Sequence, residues 1–333
     1  MKRRAMVRVG LCAAMSLVCA MSVLPEARAQ DKLVQDKWPS RRVTIVVPFA
    51  AGSNTDACAR LLADLLRDIH GQPFIVENRG GAGGTLGANA VAKAPSDGYT
   101  LLMAGNTSLS AAPALFKNVP YDPIKDFAPI ARVGRFSSVL VTTPGQPFRT
   151  MQEFVAHAKA NPVKLSYGHG NSTGHIVGET IKRRTGIEMA RVPYTATPAA
   201  ITDLIGGRTQ TVVSDLLSGI PQIQAGKLIP LATIFRERSS LLPDVPTLHE
   251  TVMPGFEVLP WLGLFAPANT PSDIVTTLSD NLRTLLARSD IVARIAAMGI
   301  EPYYAPSEET AAFIRADLPK WQEMAREAGI DPQ

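Results

Sequence analysis

The sequence predicts an α/β fold of two lobes, two doubly wound sheets joined by a two-stranded hinge. Three observations predict it. Strand-like and helix-like segments alternate along the chain, the alternation runs through two successive series, and the chain closes on a run of helices.

The first series opens at Val43-Thr-Ile-Val-Val-Pro48, an apolar run of the length of a buried strand. A helix over Asp56–Ile69 follows, with apolar residues at 61, 62, 65, 66 and 69 and Gly71 past its end. Phe74-Ile-Val76 is the next strand. A glycine loop, a helix over about Thr85–Lys93 and a strand at Tyr99–Met103 complete a βαβαβ unit. Such a unit makes a parallel sheet with helices on both faces.

The second series begins at Val139-Leu-Val-Thr142. It continues with a helix at 150–160, a strand at Leu165-Ser-Tyr167 and a helix from about Thr173. Strands at Arg191–Pro193, Thr211–Ser214 and Leu228–Thr233 follow, with a helix at 198–205. A further strand at Leu262–Phe265 precedes helices at 271–287, 290–298 and 307–328. Crossings near 136–140 and 258–263 then divide the chain. Residues 30–137 form the first lobe, 138–260 the second, and 261–333 return to the first.

Residues 1–29 read as a secretory signal. Lys2, Arg3, Arg4 and Arg8 precede an apolar run over Val9–Leu24, and Ala27-Arg28-Ala29 gives a small-residue cleavage site. The run is short for a membrane span. The high isoelectric point belongs to this leader. Removing its five basic and one acidic residues from 34 and 29 leaves a formal charge of +1. No nucleic-acid partner is implied. Cys12 and Cys19 lie in the leader, so Cys58 alone survives and no internal disulfide forms. Its apolar helical surroundings make it a packing residue.

Ligands of open parallel sheets sit outside the carboxyl ends of the strands. Two loops there are informative. Phe49-Ala-Ala-Gly52-Ser53-Asn54-Thr55-Asp56 carries capping residues at a helix start, where free N–H groups and the helix dipole favour an anion. Tyr167-Gly-His-Gly170-Asn171-Ser172-Thr173-Gly174-His175 repeats the device. Facing one cleft, the two would clamp a carboxylate without arginine. His169 and His175 sit off a single helical face, which argues against a metal pair and reads as ordinary hydrogen-bonded surface histidines. Asn106-Thr107-Ser108 adds neutral groups at the same edge. Trp261 stands near the second crossing, over a ligand's apolar part or in the core.

Two patterns compete with binding. Gly170-Asn-Ser172-Thr-Gly174 is a literal G-x-S-x-G, with Asp215 and His249 following in the order of a secreted serine hydrolase. Arg79–Gly87 is glycine-rich, but it lacks the Lys-Ser/Thr of a P-loop and the G-x-G-x-x-G spacing, because Leu86 fills the last required place. It reads as a connection against another backbone.

At these residues the chain resembles the substrate-binding component of tripartite tricarboxylate transporters, the TctC or Bug family. Val46–Gly52 with Thr55-Asp56 and Ala59-Arg60 resembles its first motif, and Val76–Arg79 with Gly81–Gly84 and Gly87-Ala88 its second. Asp97–Leu101, Tyr121–Pro123, Asp126–Pro129, Val192–Tyr194, Asp203–Gly207, Leu242–Thr247 and Gly263–Pro267 extend the likeness over about 36–330. The resemblance implies a periplasmic-binding-protein-like (type II) fold that closes over a small organic carboxylate, held by neutral loops and often by waters. It implies no enzyme activity, no cofactor and no metal, a monomer, and delivery to integral-membrane permease subunits. A ligand sensor for a membrane signalling protein would share the fold. The ligand contacts it implies are Phe49, Ser53, Asn54, Thr55 and Ser108 from the first lobe. Gly170, Asn171, Ser172 and Thr173 come from the second, with Asp215 and Trp261 lining the cleft. Family members commonly show Gly-Gly-Ser-Thr-Asp where this chain has Gly52-Ser53-Asn54-Thr55-Asp56. Leu109 replaces the usual histidine after the third strand. Asp56 is expected to hold its loop, since pointing inward it would repel an anion.

Overall fold

The computed structural model describes residues 38–162 and 165–333. The expected leader, its cleavage point at Ala29 and the cysteines at 12 and 19 lie outside the described residues. Strand β1 (Val43–Val47) is buried almost throughout, as its unbroken apolar run requires. Helix α1 (Asn54–His70) starts on a Ser53 cap whose hydroxyl accepts from the Asp56 N–H, and ends at Gly71 in the left-handed region. Then come β2 (Phe74–Asn78), α2 (Thr85–Ala92) and β3 (Thr100–Gly105). These three strands are parallel in the order β2-β1-β3, with Val43 opposite Phe74.

A short helix, α3 (Ala112–Leu115), leads to β4 (Phe127–Phe136). Only Ser137 separates β4 from β5 (Ser138–Thr142), which belongs to the second sheet. That sheet grows through α4 (Met151–Ala160), β6 (Ser166–His169), α5 (Ser172–Thr185), β7 (Ala190–Pro193), α6 (Thr197–Ile205), β8 (Thr211–Asp215), α7 (Leu216–Gln224) and β9 (Ile229–Thr233). Its order is β7-β6-β8-β5-β9, with β5 antiparallel to both neighbours. After α8 (Leu248–Thr251) the chain returns through β10 (Trp261–Pro267), which enters the first sheet between β3 and β4. Helices α9 (Ser272–Leu286) and α10 (Ser289–Ala296), strand β11 (Ile300–Pro306) and helix α11 (Ser307–Ala328) complete it. The first sheet reads β11-β4-β10-β3-β1-β2, and β10, β4 and β11 pair antiparallel.

The expected two-lobed α/β architecture is present, with mixed sheets. The antiparallel strands are those beside the two crossings and at one edge. β4 and β11 escaped the sequence reading. Pro129 and Gly134 interrupt the first, and Pro302 and Pro306 fit the second only to an edge, where it pairs with β4 alone.

Four apolar clusters hold the sheets, and the two largest lie one against each sheet. One gathers Ile45, Cys58, Leu62, Leu66, Leu264, Leu278 and Leu282 under the first sheet. The other gathers Tyr167, Ile176, Ile181 and Phe154 under the second. The last helix contributes to both sides. Ile314 packs with Trp261 and Phe265 beneath the first sheet, while Trp321 and Ala325 pack in the second core. Cys58 is fully buried, and burial pushes its thiol up to about 12. Among the described residues no helix is long and apolar enough to cross a membrane.

The join between β3 and β10 is tight at Gly105, opposite Leu262. A methyl group there would stand 1.9 Å from the Trp261 carbonyl oxygen. The oxygen belongs to paired backbone, so it does not give way cheaply. Gly105→Ala is expected to cost more than about 2 kcal/mol by urea unfolding, through forced overpacking. An unchanged midpoint would refute this packing.

Candidate functional site

The loop after β1 is held by one carboxylate. Asp56 Oδ2 accepts from the Gly52 N–H at 2.9 Å and from Arg60 Nε at 3.1 Å. Its Oδ1 accepts from Asn78 Nδ2 at 2.9 Å, and Asn78 Nδ2 also reaches the Phe49 carbonyl at 3.1 Å. Burial pushes the Asp56 carboxyl up, but Arg60, the Gly52 N–H and Asn78 outweigh it and hold it below the ordinary value. The carboxylate faces back into its own loop, as expected, and the loop's capping residues face forward.

The glycine loop supports this loop from behind. A methyl at Gly87 would stand 2.7 Å from the Arg79 carbonyl and 2.9 Å from the Pro48 Cα, so the backbones close up only because no side chain intervenes. Gly84 lies beside Pro48, Phe49 and Ser108 as well, and takes a left-handed φ of 88° that favours glycine. This is a buttress for the first loop.

In the second sheet, Asn171 caps α5, its Oδ1 accepting from the Gly174 N–H at 2.9 Å. Asp215 caps α7, its Oδ1 accepting from the Ser218 N–H at 2.8 Å. Helix α6 begins between them in sequence, with Ala196 at its cap position. Four helix N-termini, those of α1, α5, α6 and α7, therefore follow the carboxyl ends of β1, β6, β7 and β8.

They converge on one cavity. It encloses about 560 Å³ of non-protein space counted out to its open mouth. Phe49, Ser53, Asn54 and Thr55 line it from the first sheet, and Gly170, Asn171, Thr173 and Asp215 from the second. The sequence reading had singled out all eight. Gly105, Asn106, Thr107, Phe136, Ser138, Ala196, Thr197 and Pro260 line it as well. Phe136, Ser138 and Pro260 stand at the two crossings. Ala196 and Thr197 open α6, and the rule that places ligands at carboxyl ends of strands would have found them after β7.

Asn54 is the most informative wall residue. It is 6% exposed, and neither its Nδ2 nor its Oδ1 has a hydrogen-bond partner. Asp215 faces the same space. Burial pushes its carboxyl up, against the donors at Ser218 and Thr197. The wall thus offers N–H groups and dipoles, with no arginine or lysine among its residues.

Three expected contacts stand elsewhere. Ser108 is fully buried one step behind the wall, against Gly84, and its carbonyl accepts from the Tyr121 hydroxyl. Strand β3 runs to Gly105, so the turn presents Asn106 and Thr107 instead. Trp261 is a core residue: its indole N–H donates to Asp317 at 2.8 Å and its ring meets Phe313 edge-on. Ser172 is turned into a bridge between the sheets. Its hydroxyl shares a 2.9 Å hydrogen bond with the Thr107 hydroxyl and accepts from Asn106 Nδ2 at 3.2 Å. Asn106 Nδ2 also donates to the Thr173 hydroxyl at 3.2 Å.

The bridge decides what the G-x-S-x-G is here. Ser172 is occupied by Asn106 and Thr107, Asp215 by the start of α7, and His249 Nδ1 accepts from the Gly255 N–H. None of the three is hydrogen-bonded to another. The two histidines of the loop are not on the surface. His169 and His175 are both buried and stack 5.1 Å apart, and burial lowers them to about 4 and about 3. Leu109 is a buried core residue. Among the described residues no group of three or more His, Cys, Asp or Glu is placed to hold a metal ion.

Fold and site together define an α/β protein built to enclose a small ligand between two sheets. The family model of the tripartite tricarboxylate transporter family receptor, TctC, matches residues 58–330, and the chain belongs to that family. BugT of Bordetella pertussis is 34% identical over 297 residues, covering 88% of this chain and 91% of BugT. Among solved structures, Rhodopseudomonas palustris Rpa4515 with adipate superposes with a TM-score of 0.86 at 33% identity, covering 89% of this chain and all of that one. MatC from the same organism, with bound malate, gives 0.80 at 31% identity over 86% and 99% of the two chains. The family and fold are those of solute-binding proteins, and the ligands in these neighbours are carboxylates.

Two substitutions check the assignments of Asp56 and Trp261. The folded chain binds the Asp56 proton less tightly than the unfolded chain does. Its stabilisation is therefore complete above the unfolded value, about 3.9, and fades as pH falls through the lower folded value. Asp56→Asn should flatten the acid limb of Tm against pH. A limb as steep as in the parent protein would refute the loop network. Trp261→Phe should lower stability by about 1–3 kcal/mol through the lost buried hydrogen bond, measured by denaturant unfolding. Ligand affinity in this variant should stay unchanged. An affinity loss with full stability would return Trp261 to the wall.

Proposed function

We propose that this chain is an exported, periplasmic solute-binding protein that encloses a small organic carboxylate between its two sheets. It hands the ligand to permease subunits of a tripartite tricarboxylate-type transporter. The single observation carrying this reading is Asn54. A buried amide left unpaired on both edges costs about 1–3 kcal/mol per unmet group, and a ligand or its bridging waters would recover that cost. The amide sits where four helix N-termini meet, a field that favours negative charge. Burial disfavours ionisation of Asp215, which reduces its repulsion of an anion.

The lobes divide at Ser137 and near Pro260, so a ligand held by Ser53, Asn54 and Thr55 on one side and Gly170, Asn171 and Thr173 on the other spans the hinge. Binding to both sides shifts the population toward the closed form, which the permease recognises. The adipate and malate in Rpa4515 and MatC support a carboxylate as the occupant. Hydrogen bonds from neutral donors to a charged ligand contribute about 1.5–3 kcal/mol each, enough for capture and still reversible.

A thermal-shift screen of di- and tricarboxylates on the mature chain tests the reading. At least one acid should raise Tm, because it binds the folded state alone. Asn54→Ala should weaken that acid by about tenfold or more. A chain that no organic acid stabilises, or an Asn54→Ala protein of full affinity, would sink the proposal.

A further inference from the structure

A second chamber lies on the far side of the Ser172 bridge. It shares Thr107, Gly170 and Asn171 with the main cavity, but its other residues differ in chemistry. Arg191, half-buried on β7, lines it. Nη1 of Arg191 approaches the His175 ring nitrogens at 3.3 and 3.5 Å, and among the described residues no carboxylate pairs with this guanidinium. Beside it stands His169, 7% exposed. Its Nδ1 lies 3.0 Å from the Asn171 carbonyl, which can only accept. That contact fixes the proton on Nδ1. In the neutral ring Nε2 is then a bare acceptor, and it has no partner. Leu115 and Phe116 supply an apolar wall.

We infer that this chamber is a separate binding site for a small hydroxycarboxylate with an apolar body. The carboxylate meets the Arg191 fork, a hydroxyl donates to His169 Nε2, and the apolar body lies on Leu115 and Phe116. Each part answers one unmet demand. A guanidinium without a counter-ion takes a planar carboxylate on two parallel N–H groups. A buried acceptor without a donor takes an O–H. The main cavity has no cationic side chain in its wall, so the two chambers select by different means.

The site does not depend on the reading of the main cavity, and the experiment separates them. The full mature chain is titrated with para-hydroxybenzoate and with benzoate by calorimetry, in parent, Arg191→Met, Arg191→Lys and Asn54→Ala proteins. The parent should bind para-hydroxybenzoate. Arg191→Met should weaken it by about tenfold or more, with Arg191→Lys between, because a point charge replaces the fork. Benzoate, lacking the donor, should bind several-fold more weakly in the parent. Asn54→Ala should leave para-hydroxybenzoate affinity unchanged. Should Arg191→Met unfold, the Arg191→Lys and benzoate comparisons still decide. No binding by the parent would overturn the assignment. So would equal affinity for the two probes, or a loss with Asn54→Ala alone, which would place the probe in the main cavity.

Discussion

The amide of Asn106 is the hinge pin of the site. Its Oδ1 accepts the Trp261 N–H at 3.3 Å, which orients the group, so its Nδ2 must point across to Ser172 and Thr173. The Thr107 hydroxyl doubles the crossing. These four side chains are buried, so their hydrogen bonds are made away from competing water. They set the start of α5 against the end of β3, and thereby fix where the helix N-termini point. They also divide the space between the sheets in two, one chamber lined by neutral donors and one by a guanidinium.

Charge is managed by burial more than by pairing. The main wall holds no cation, and its one carboxyl, Asp215, caps a helix with its charge disfavoured. Asp56, the other acid close by, is turned away and neutralised by Arg60. The histidine pair next door is pushed toward neutrality by burial, which outweighs the Asn171 carbonyl at His169 and is reinforced at His175 by His169 and Arg191. The result is an anion-friendly surface made of dipoles, free of the large desolvation cost of a buried ion pair.

Much of this was legible in the residues. The Val- and Ile-rich strand at β1 and the helices with a serine or asparagine cap at α1 and α5 read correctly. The two capped loops led to seven of the wall residues, because strand-end geometry constrains where a ligand lies, and the family resemblance added Asp215. Three expected contacts stand outside the cavity wall for one reason. Ser108, Ser172 and Trp261 lie beside the wall and turn away from it, since a residue's facing depends on where a strand ends and on tertiary partners such as Asp317 and Thr107. The burial of His169 and His175 was equally hidden. It follows from Tyr167, on the same face of β6, and from Arg191 on the neighbouring strand, whose approach to His175 no local pattern carries. The split loyalty of α11, with Ile314 under one sheet and Trp321 under the other, was hidden for the same reason.

The lone described cysteine has a practical corollary. With its sulfur sealed in the α1 core and its thiolate suppressed, Cys58 is chemically silent toward maleimides and similar electrophiles at neutral pH. A cysteine introduced on either rim of the cavity would therefore be the reactive thiol among the described residues. A dye placed there would report on the cavity mouth without any need to replace Cys58.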